Sequence, residues 1–133
     1  MAIALEEFSL LIVEDEPFTC RVHVDMAAAI GVGTILSAAS VAEAIHEIDQ
    51  ADEGVDAILL DIHMPEADGV EFLDDLIARD FQSPIIIVTG AHETLVKIVS
   101  GYGVANRLPI SAVIRKPLTF DILKAMLTSL AAG

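Results

Sequence analysis

The fold of this chain is decided by residues 57–69, AILLDIHMPEADG. A short apolar run ends on one carboxylate, Asp61, and a turn follows in which Pro65 sets the backbone and Gly69 opens the next helix. Apolar runs of this length between turn residues are typical of buried parallel strands. In such sheets ligands bind outside the carboxyl ends of the strands. Asp61 is therefore predicted to lie at the mouth of a cleft, although an Asp there can also simply start a turn or cap a helix.

Strand-like and helix-like segments alternate through the rest of the chain. Five strands alternating with five helices predict an α/β fold, a doubly wound parallel sheet with helices on both faces. The length of 133 residues fits one domain, spanning 1–133. The predicted strands are 9–13, 34–38, 57–60, 84–89 and 112–114, and the predicted helices begin near Pro17, Val41, Gly69, Glu93 and Phe120.

Apolar spacing predicts which side of each helix faces the core. Ser40 with Glu43 three residues later indicates a capping box at the second helix, and Thr119 can cap the last one. The fourth helix is predicted to run from about Glu93 to Tyr102. The predicted core stripes are Leu95, Ile98, Val99 and Tyr102 on the fourth helix, and Phe120, Leu123, Leu127 and Leu130 on the last.

The charge of the chain is strongly negative and unevenly distributed. Seven basic against 21 acidic residues give a net charge of −14, which argues against nucleic-acid binding by this domain. Residues 1–80 carry −17 and residues 81–133 carry +3, so two faces with different partners are expected. The single cysteine, Cys20, excludes an internal disulfide, and the apolar runs are too short to span a bilayer. We therefore expect a cytoplasmic protein without a membrane segment.

Charged and polar residues follow four of the predicted strands. Glu14 and Asp15 follow the first, Asp61 the third, Thr89 ends the fourth, and Lys116 follows the fifth. The carboxyl ends of parallel strands meet at one edge, so these side chains are predicted to converge. Three carboxylates in one cleft repel each other unless a cation joins them. Mg²⁺ is the expected cation because it prefers hard oxygen ligands and accepts phosphate as a co-ligand.

In these segments the chain resembles a response-regulator receiver domain of two-component signalling, a CheY-like family, over essentially its full length. The resemblance rests on four motifs in this order: LIVEDE at 11–16, LDIHMP at 60–65 with Asp68-Gly69, VTGA at 88–91, and RKP at 115–117. It implies a flavodoxin-like (βα)5 sheet with strand order 2-1-3-4-5.

The resemblance also implies a role for each site residue. Asp61 would accept a phosphoryl group from a histidine kinase or a histidine phosphotransfer protein, forming an acyl phosphate. Asp15 and Glu14 would bind Mg²⁺ together with Asp61 and the backbone carbonyl of His63. Thr89 would hydrogen-bond the phosphoryl group, and Lys116 would pair with another of its oxygens. The family is a phosphoacceptor that assists its own phosphorylation and dephosphorylation, not a classical enzyme, and the Lys116-Pro117 bond is expected to be cis.

Several features leave alternatives open. Receivers commonly carry an aromatic residue three positions before the lysine, where this chain has Val113. The stretch 108–110 before the fifth strand resembles receivers joined to EAL-type cyclic-di-GMP phosphodiesterase domains. An aspartyl-phosphate phosphatase of the haloacid dehalogenase type would need an Asp at position 63, which is His. A flavodoxin-like flavin binder would need a Ser/Thr/Gly-rich loop after the first strand, and an inactive receiver would not need all the phosphorylation residues.

The resemblance assigns the output surface to the fourth helix, fifth strand and fifth helix. This segment departs from the acidic average, and apolar residues outside the core stripes, Val96, Ile122 and Met126, are expected to extend it. We predict a homodimer or an output partner on this surface, and the alternative is that these residues cover a larger core.

Overall fold

Five parallel strands form the central sheet of the computed structural model, which describes residues 2–64 and 67–133 but not the side chains of 63–69. The strands are β1 Ser9–Val13, β2 Thr34–Ala38, β3 Ala57–Leu60, β4 His63–Met64, β5 Ala67–Asp68, β6 Ile85–Thr89 and β7 Ile110–Arg115. The α-helices within the described residues are α1 Pro17–Ile30, α2 Val41–Gln50, α3 Gly69–Ala78, α4 Glu93–Ala105 and α5 Phe120–Ala132, and a short 3-10 helix spans Leu5–Glu7. The large sheet has the order β2-β1-β3-β6-β7, and β4 and β5 form a separate antiparallel pair. Numbered within the large sheet alone, this order is the predicted 2-1-3-4-5.

Alternation along the strands divides the interior into two cores, one on each face of the sheet. Successive strand residues point to opposite faces, so Ile58 and Leu60 enter one core while Ala57 and Leu59 enter the other. The first core packs under α2, α3 and α4, and the second packs under α1 and α5. Burial on both faces explains why β1, β3 and β6 are nearly continuous apolar runs.

The helix ends follow local capping chemistry. Pro17 occupies the first turn of α1, and Gly31 ends the helix in a left-handed conformation with φ of 110°. The Ser40 side chain accepts a hydrogen bond from the Glu43 amide at 3.1 Å, and Thr119 accepts from the Ile122 amide at 3.3 Å. The predicted caps of α2 and α5 are therefore confirmed.

Helix α4 differs from its prediction in length and in the face it buries. It continues to Ala105, and its buried residues are Val96, Val99 and Gly103, while Ile98 is 59% exposed. A Cβ atom at Gly103 would lie 3.1 Å from the side chain of Ile110, so α4 and β7 approach closely at this residue. The close approach of α4 to β7 selects the face that carries the smallest residue. Of the predicted stripe, Val99 is buried and Leu95 and Tyr102 pack partly buried against the same core, so the prediction is wrong for Ile98, and Val96 belongs to the core.

Helix α5 also buries a slightly different face from the predicted one. Leu123, Leu127 and Ala131 are buried, whereas Phe120 is 38% exposed and Leu130 is half-buried. Leu123 and Leu127 of the predicted stripe are thus core residues, Leu130 packs partly buried against the same core, and the prediction is wrong for Phe120. Across the described residues, every helix is too short or too polar to cross a lipid bilayer.

Candidate functional site

Three carboxylates meet at the carboxyl edge of the large sheet. Glu14 and Asp15 follow β1, and Asp61 follows the adjacent strand β3, with its amide bonded to the Val13 carbonyl at 3.0 Å. One carboxylate oxygen from each of these three residues lies within 4.8 Å of the others. Glu14 and Asp61 are almost fully buried and Asp15 is half-buried. The parallel pairing of the two strands therefore produces the predicted acidic cluster.

Lys116 brings an ammonium group within hydrogen-bond distance of two of these carboxylates. Its Nζ donates to Glu14 Oε1 at 2.5 Å and to Asp61 Oδ2 at 3.0 Å. The lysine follows β7 directly, its amide bonds to the Thr89 carbonyl at 3.1 Å, and the Lys116-Pro117 bond is cis as expected. One ammonium among three carboxylates leaves the cleft with an excess of negative charge.

The charges inside the cleft shift the pKa of two of its members. Burial raises the pKa of Glu14, and the charge of Asp61 adds to this, while the hydrogen bond from Lys116 opposes it. Burial alone lowers the pKa of Lys116, but its hydrogen bonds to Glu14 and Asp61, together with their charges, raise that pKa overall. Lys116 is thus firmly protonated, and Glu14 binds a proton more readily than an exposed glutamate.

The cap of α1 comes from a third acidic residue, so neither Glu14 nor Asp15 is needed for it. The Glu16 carboxylate accepts from the Thr19 amide at 2.9 Å, which satisfies an unpaired N–H of the first turn. Glu14 keeps its second oxygen toward the Glu16 amide at 3.2 Å. This division of roles favours a binding function over a capping function for Glu14 and Asp15.

Thr89 lies at the end of β6 and is fully buried. Its hydroxyl oxygen accepts a hydrogen bond from the Ala91 amide at 3.0 Å. A hydroxyl also carries a proton that it can donate to a second partner. The structure places Thr89 at the predicted sheet edge, but its described hydrogen bonds go to neighbouring backbone, not to the carboxylates.

The histidines have four different surroundings. The backbone of His63 lies in β4, and its side chain is outside the described residues. Its role as a metal ligand through the backbone carbonyl stays a prediction. His46 is exposed, and His92 caps α4 through its Nδ1, which accepts from the Thr94 amide at 3.2 Å.

His23 is a buried helix residue that the sequence did not separate from surface histidines. It lies in α1 and is 5% exposed. Burial lowers its pKa, the positive charge of Lys116 lowers it further, and Asp61 partly opposes both. It shares one face of α1 with Ala27, four residues later, whose burial the sequence alone does not show.

The donor set fits a hard divalent cation. Mg²⁺ is usually held in proteins by one or two carboxylates, with waters and phosphate oxygens completing six ligands. Asp15 can supply an oxygen from a half-buried position that water reaches, and the grouping of Asp15 with Glu14 and Asp61 matches this pattern. Receiver domains generally bind Mg²⁺ at an acidic pocket of this kind.

Comparison with protein families gives one assignment over most of the chain. Residues 10–128 match the family model of the response regulator receiver domain. A probable C4-dicarboxylate response regulator, DctR, of Halalkalibacterium halodurans is 32% identical over 120 residues, which cover 90% of this chain and 49% of that protein. The transcriptional regulatory protein DpiA of Escherichia coli is 30% identical over 121 residues, 90% of this chain and 50% of that protein. The chain therefore spans about half the length of these relatives.

Solved structures show the same fold. CheY of Borrelia burgdorferi, solved with CheX, BeF₃ and Mg²⁺, superposes with a TM-score of 0.77 at 26% identity, covering 95% of this chain and 90% of that one. A response regulator from Colwellia psychrerythraea superposes with a TM-score of 0.79 at 21% identity, covering 96% of this chain and 98% of that one.

Proposed function

Since this chain belongs to the response regulator receiver domain family, we propose that Asp61 is its phosphoacceptor, taking a phosphoryl group from a histidine kinase or a histidine phosphotransfer protein in a Mg²⁺-dependent reaction. The observation that carries the proposal is the position of the Asp61 carboxylate, at a strand end and hydrogen-bonded to Lys116 at 3.0 Å. One Asp61 oxygen attacks phosphorus, the bond from phosphorus to the donor imidazole nitrogen breaks, and an acyl phosphate results.

Each neighbouring residue has a separate part in this transfer. Glu14, Asp15, Asp61 and the backbone carbonyl of His63 would hold Mg²⁺, which when bound neutralises negative charge on the transferred group. Lys116 moves its ammonium from the Asp61 carboxylate to a phosphoryl oxygen, and the Thr89 hydroxyl donates its proton to another. The residues that promote the transfer also promote the loss of the group to water, so the domain assists its own phosphorylation and dephosphorylation.

The comparisons offer indirect support for these assignments. The Borrelia protein was solved with Mg²⁺ and BeF₃, a phosphoryl mimic, and it shares this fold. The relatives DctR and DpiA are named as regulators, but this chain covers only about half of each. Their outputs are therefore not transferred to this chain, and an EAL-type phosphodiesterase output stays a prediction from residues 108–110. A phosphatase is the weaker alternative, because position 63 is His where that chemistry needs an Asp.

The partner surface is proposed to be α4, β7 and α5. Ile98 is 59% exposed on α4, Val113 is 42% exposed on β7, and Ile122 is 41% exposed on α5. Exposed basic residues lie on the same three elements, Lys97 on α4, Arg115 on β7 and Lys124 on α5. Apolar side chains surrounded by charged ones resemble the apolar core and polar rim of a protein interface. We expect a second copy of the chain or an output partner to bind here after phosphorylation of Asp61. The excess of acidic residues argues against nucleic acid as that partner.

Intact-mass measurement during incubation with acetyl phosphate tests the proposal. We expect one phosphoryl adduct in Mg²⁺, none in EDTA, and none in Asp61→Asn. The matched control is Asp52→Asn, an exposed acid in the loop before β3, at the opposite edge of the sheet. Phosphorylation of Asp61→Asn, or equal labelling in EDTA, would contradict the proposal.

A further inference from the structure

Arg115 makes a backbone contact that the phosphoryl chemistry does not require. It is the last residue of β7, in register with Thr89 of β6. Its Nη1 donates a 2.6 Å hydrogen bond to the carbonyl of Ala91, in the segment between β6 and α4. A guanidinium donor makes a charge-assisted hydrogen bond, which is stronger than a bond between neutral groups. Arg115 therefore holds the residue that directly precedes His92, the cap of α4.

Ala91 is held from its other side by Thr89. The Ala91 amide donates to Thr89 Oγ1 at 3.0 Å, so Ala91 links the Thr89 hydroxyl to the Arg115 guanidinium. Ala91 is only 3% exposed and packs in the same core as Val96 and Val99 of α4. A displacement of Ala91 is then passed to its neighbours, because a close-packed core has no space to absorb it.

The guanidinium also forms part of a surface groove between α4 and β7. Val113 and Arg115 point to the same face of β7 because they are two residues apart. With Glu93, Val96, Lys97 and Ser100 of α4 they line a groove of about 500 Å³. No aromatic side chain lines this groove among the residues that the structure describes. Arg115 therefore lines the groove and is also connected to Thr89, because both residues are hydrogen-bonded to the backbone of Ala91.

We propose that Arg115 is the positioning residue that couples the Thr89 hydroxyl to the α4–β7 groove. The proposal rests on the proposed phosphorylation of Asp61. When the Thr89 hydroxyl rotates to donate to the phosphoryl group, the Ala91 amide either moves with Thr89 Oγ1, its hydrogen-bond acceptor, or loses that hydrogen bond. Arg115 transmits the resulting movement of the Ala91 carbonyl to the groove wall, so a rotating aromatic residue at position 113 is not needed. Coupling between two sites is reciprocal, so a partner that binds the Arg115 guanidinium in the groove also changes the orientation of the Thr89 hydroxyl.

Amide NMR spectra of wild type and variants, in Mg²⁺ with and without saturating beryllofluoride, test this coupling. Saturation is judged from the Asp61 amide. In wild type we expect beryllofluoride to shift the amides of Asp61, Ala91, Lys97 and Ser100. In Arg115→Met the Asp61 shift persists, while the shifts of Lys97 and Ser100 fall at least threefold. Arg115→Lys, which keeps a charged donor, restores part of the response, which a merely structural defect would not allow.

Arg21→Met is the matched control, because it removes one exposed guanidinium from α1, outside the surface of α4, β7 and α5. It should respond as wild type does. Full shifts of Lys97 and Ser100 in Arg115→Met would overturn the coupling. If beryllofluoride does not shift the Asp61 amide of the wild-type protein, the proposed function is overturned instead. That outcome is measured without any Arg115 variant. Should Arg115→Met fail to fold, Arg115→Gln carries the same expectation, because its neutral amide cannot make the charge-assisted bond.

Discussion

Replacing Lys116 by Met tests how much the ammonium stabilises the acidic cleft. The substitution keeps most of the side-chain volume but removes the donor of two hydrogen bonds, to Glu14 at 2.5 Å and to Asp61 at 3.0 Å. Hydrogen bonds to charged groups contribute about 1.5–3 kcal/mol each. The lysine side chain is 25% exposed, whereas its two acceptors are almost fully buried, so the loss falls mainly on the carboxylates left behind.

Two effects reduce the loss. The protein no longer has to desolvate an ammonium, and Glu14, whose pKa is already raised by burial, can bind a proton instead. We therefore expect Lys116→Met to lower the free energy of unfolding by about 3 kcal/mol at pH 7 in EDTA. Near the melting temperature this corresponds to on the order of 10 °C. Magnesium should stabilise the variant more than wild type, because the metal then has no ammonium to compete with for Asp61.

Urea unfolding followed by circular dichroism, in EDTA and in Mg²⁺, measures both effects. Lys124→Met serves as the control, since it removes an exposed ammonium from α5 instead of one that is hydrogen-bonded to the buried carboxylates. A Lys116→Met protein within about 0.5 kcal/mol of wild type in EDTA would behave like an ordinary surface variant. That result would refute the view that Lys116 stabilises a cleft of mutually repelling carboxylates.

Three further outcomes follow from the structure. In EDTA the free energy of unfolding of Asp15→Ala should exceed that of wild type by about 1 kcal/mol, because one of three carboxylates within 4.8 Å of each other is gone. The variant should also lose its stabilisation by Mg²⁺. A clearly lower free energy of unfolding in EDTA would instead make Asp15 a structural residue. His23 has a lowered pKa in the fold, so the unfolded chain binds its proton first, and the contribution of His23 to stability is lost as pH falls below about 6.5. Between pH 7 and pH 5 the free energy of unfolding should therefore change less favourably in wild type than in His23→Gln, by at most about 1.4 kcal/mol per pH unit. The same change in both proteins, measured by urea unfolding at the two pH values, would contradict the assignment. The double variant Ile98→Glu/Ile122→Glu should abolish the phosphorylation-dependent association measured by analytical ultracentrifugation. The control double variant Ala28→Glu/Ala29→Glu, at exposed positions of α1, should associate as wild type does. Association that survives in Ile98→Glu/Ile122→Glu would place the interface on another surface.

The sheet and the position of its site could be predicted because both follow from local patterns. Parallel strands that are buried on both faces are continuous apolar runs, and their carboxyl ends meet whatever the details of packing. Glu14, Asp61 and Lys116 therefore converge even though 102 residues separate the first from the last. Cap residues such as Ser40 and Thr119 act within one turn, which is why they too could be predicted from sequence.

The faces of the outer helices could not be predicted in the same way. Helix α4 carries apolar residues at 95, 96, 98 and 99, so two stripes satisfy the helical period. The structure turns the helix so that Val96, Val99 and Gly103 are buried, Leu95 and Tyr102 lie partly buried beside them, and Ile98 is exposed. Met126 of α5 packs against the core instead of extending the exposed surface, whereas Ile98 of α4, predicted to be a core residue, is exposed.

Two contacts near the site depend on tertiary packing alone. His23 is polar, and nothing in its type distinguishes a buried histidine from an exposed one in a helix. The bond from Arg115 to Ala91 joins a strand end to a loop 24 residues earlier, and its geometry depends on how β7 pairs with β6. Such side-chain-to-backbone contacts carry no periodic signal in the sequence.

Mapping the phosphorylated residue tests the central claim most directly. The protein is incubated with acetyl phosphate and Mg²⁺ and then reduced with borohydride, which converts an aspartyl phosphate into homoserine, and its peptides are sequenced by mass spectrometry. We expect homoserine at position 61. Glu14 and Asp15 should remain unreduced. Reduction at a different acidic residue, or none in a protein that carries a phosphoryl adduct, would contradict the assignment of Asp61 as the phosphoacceptor.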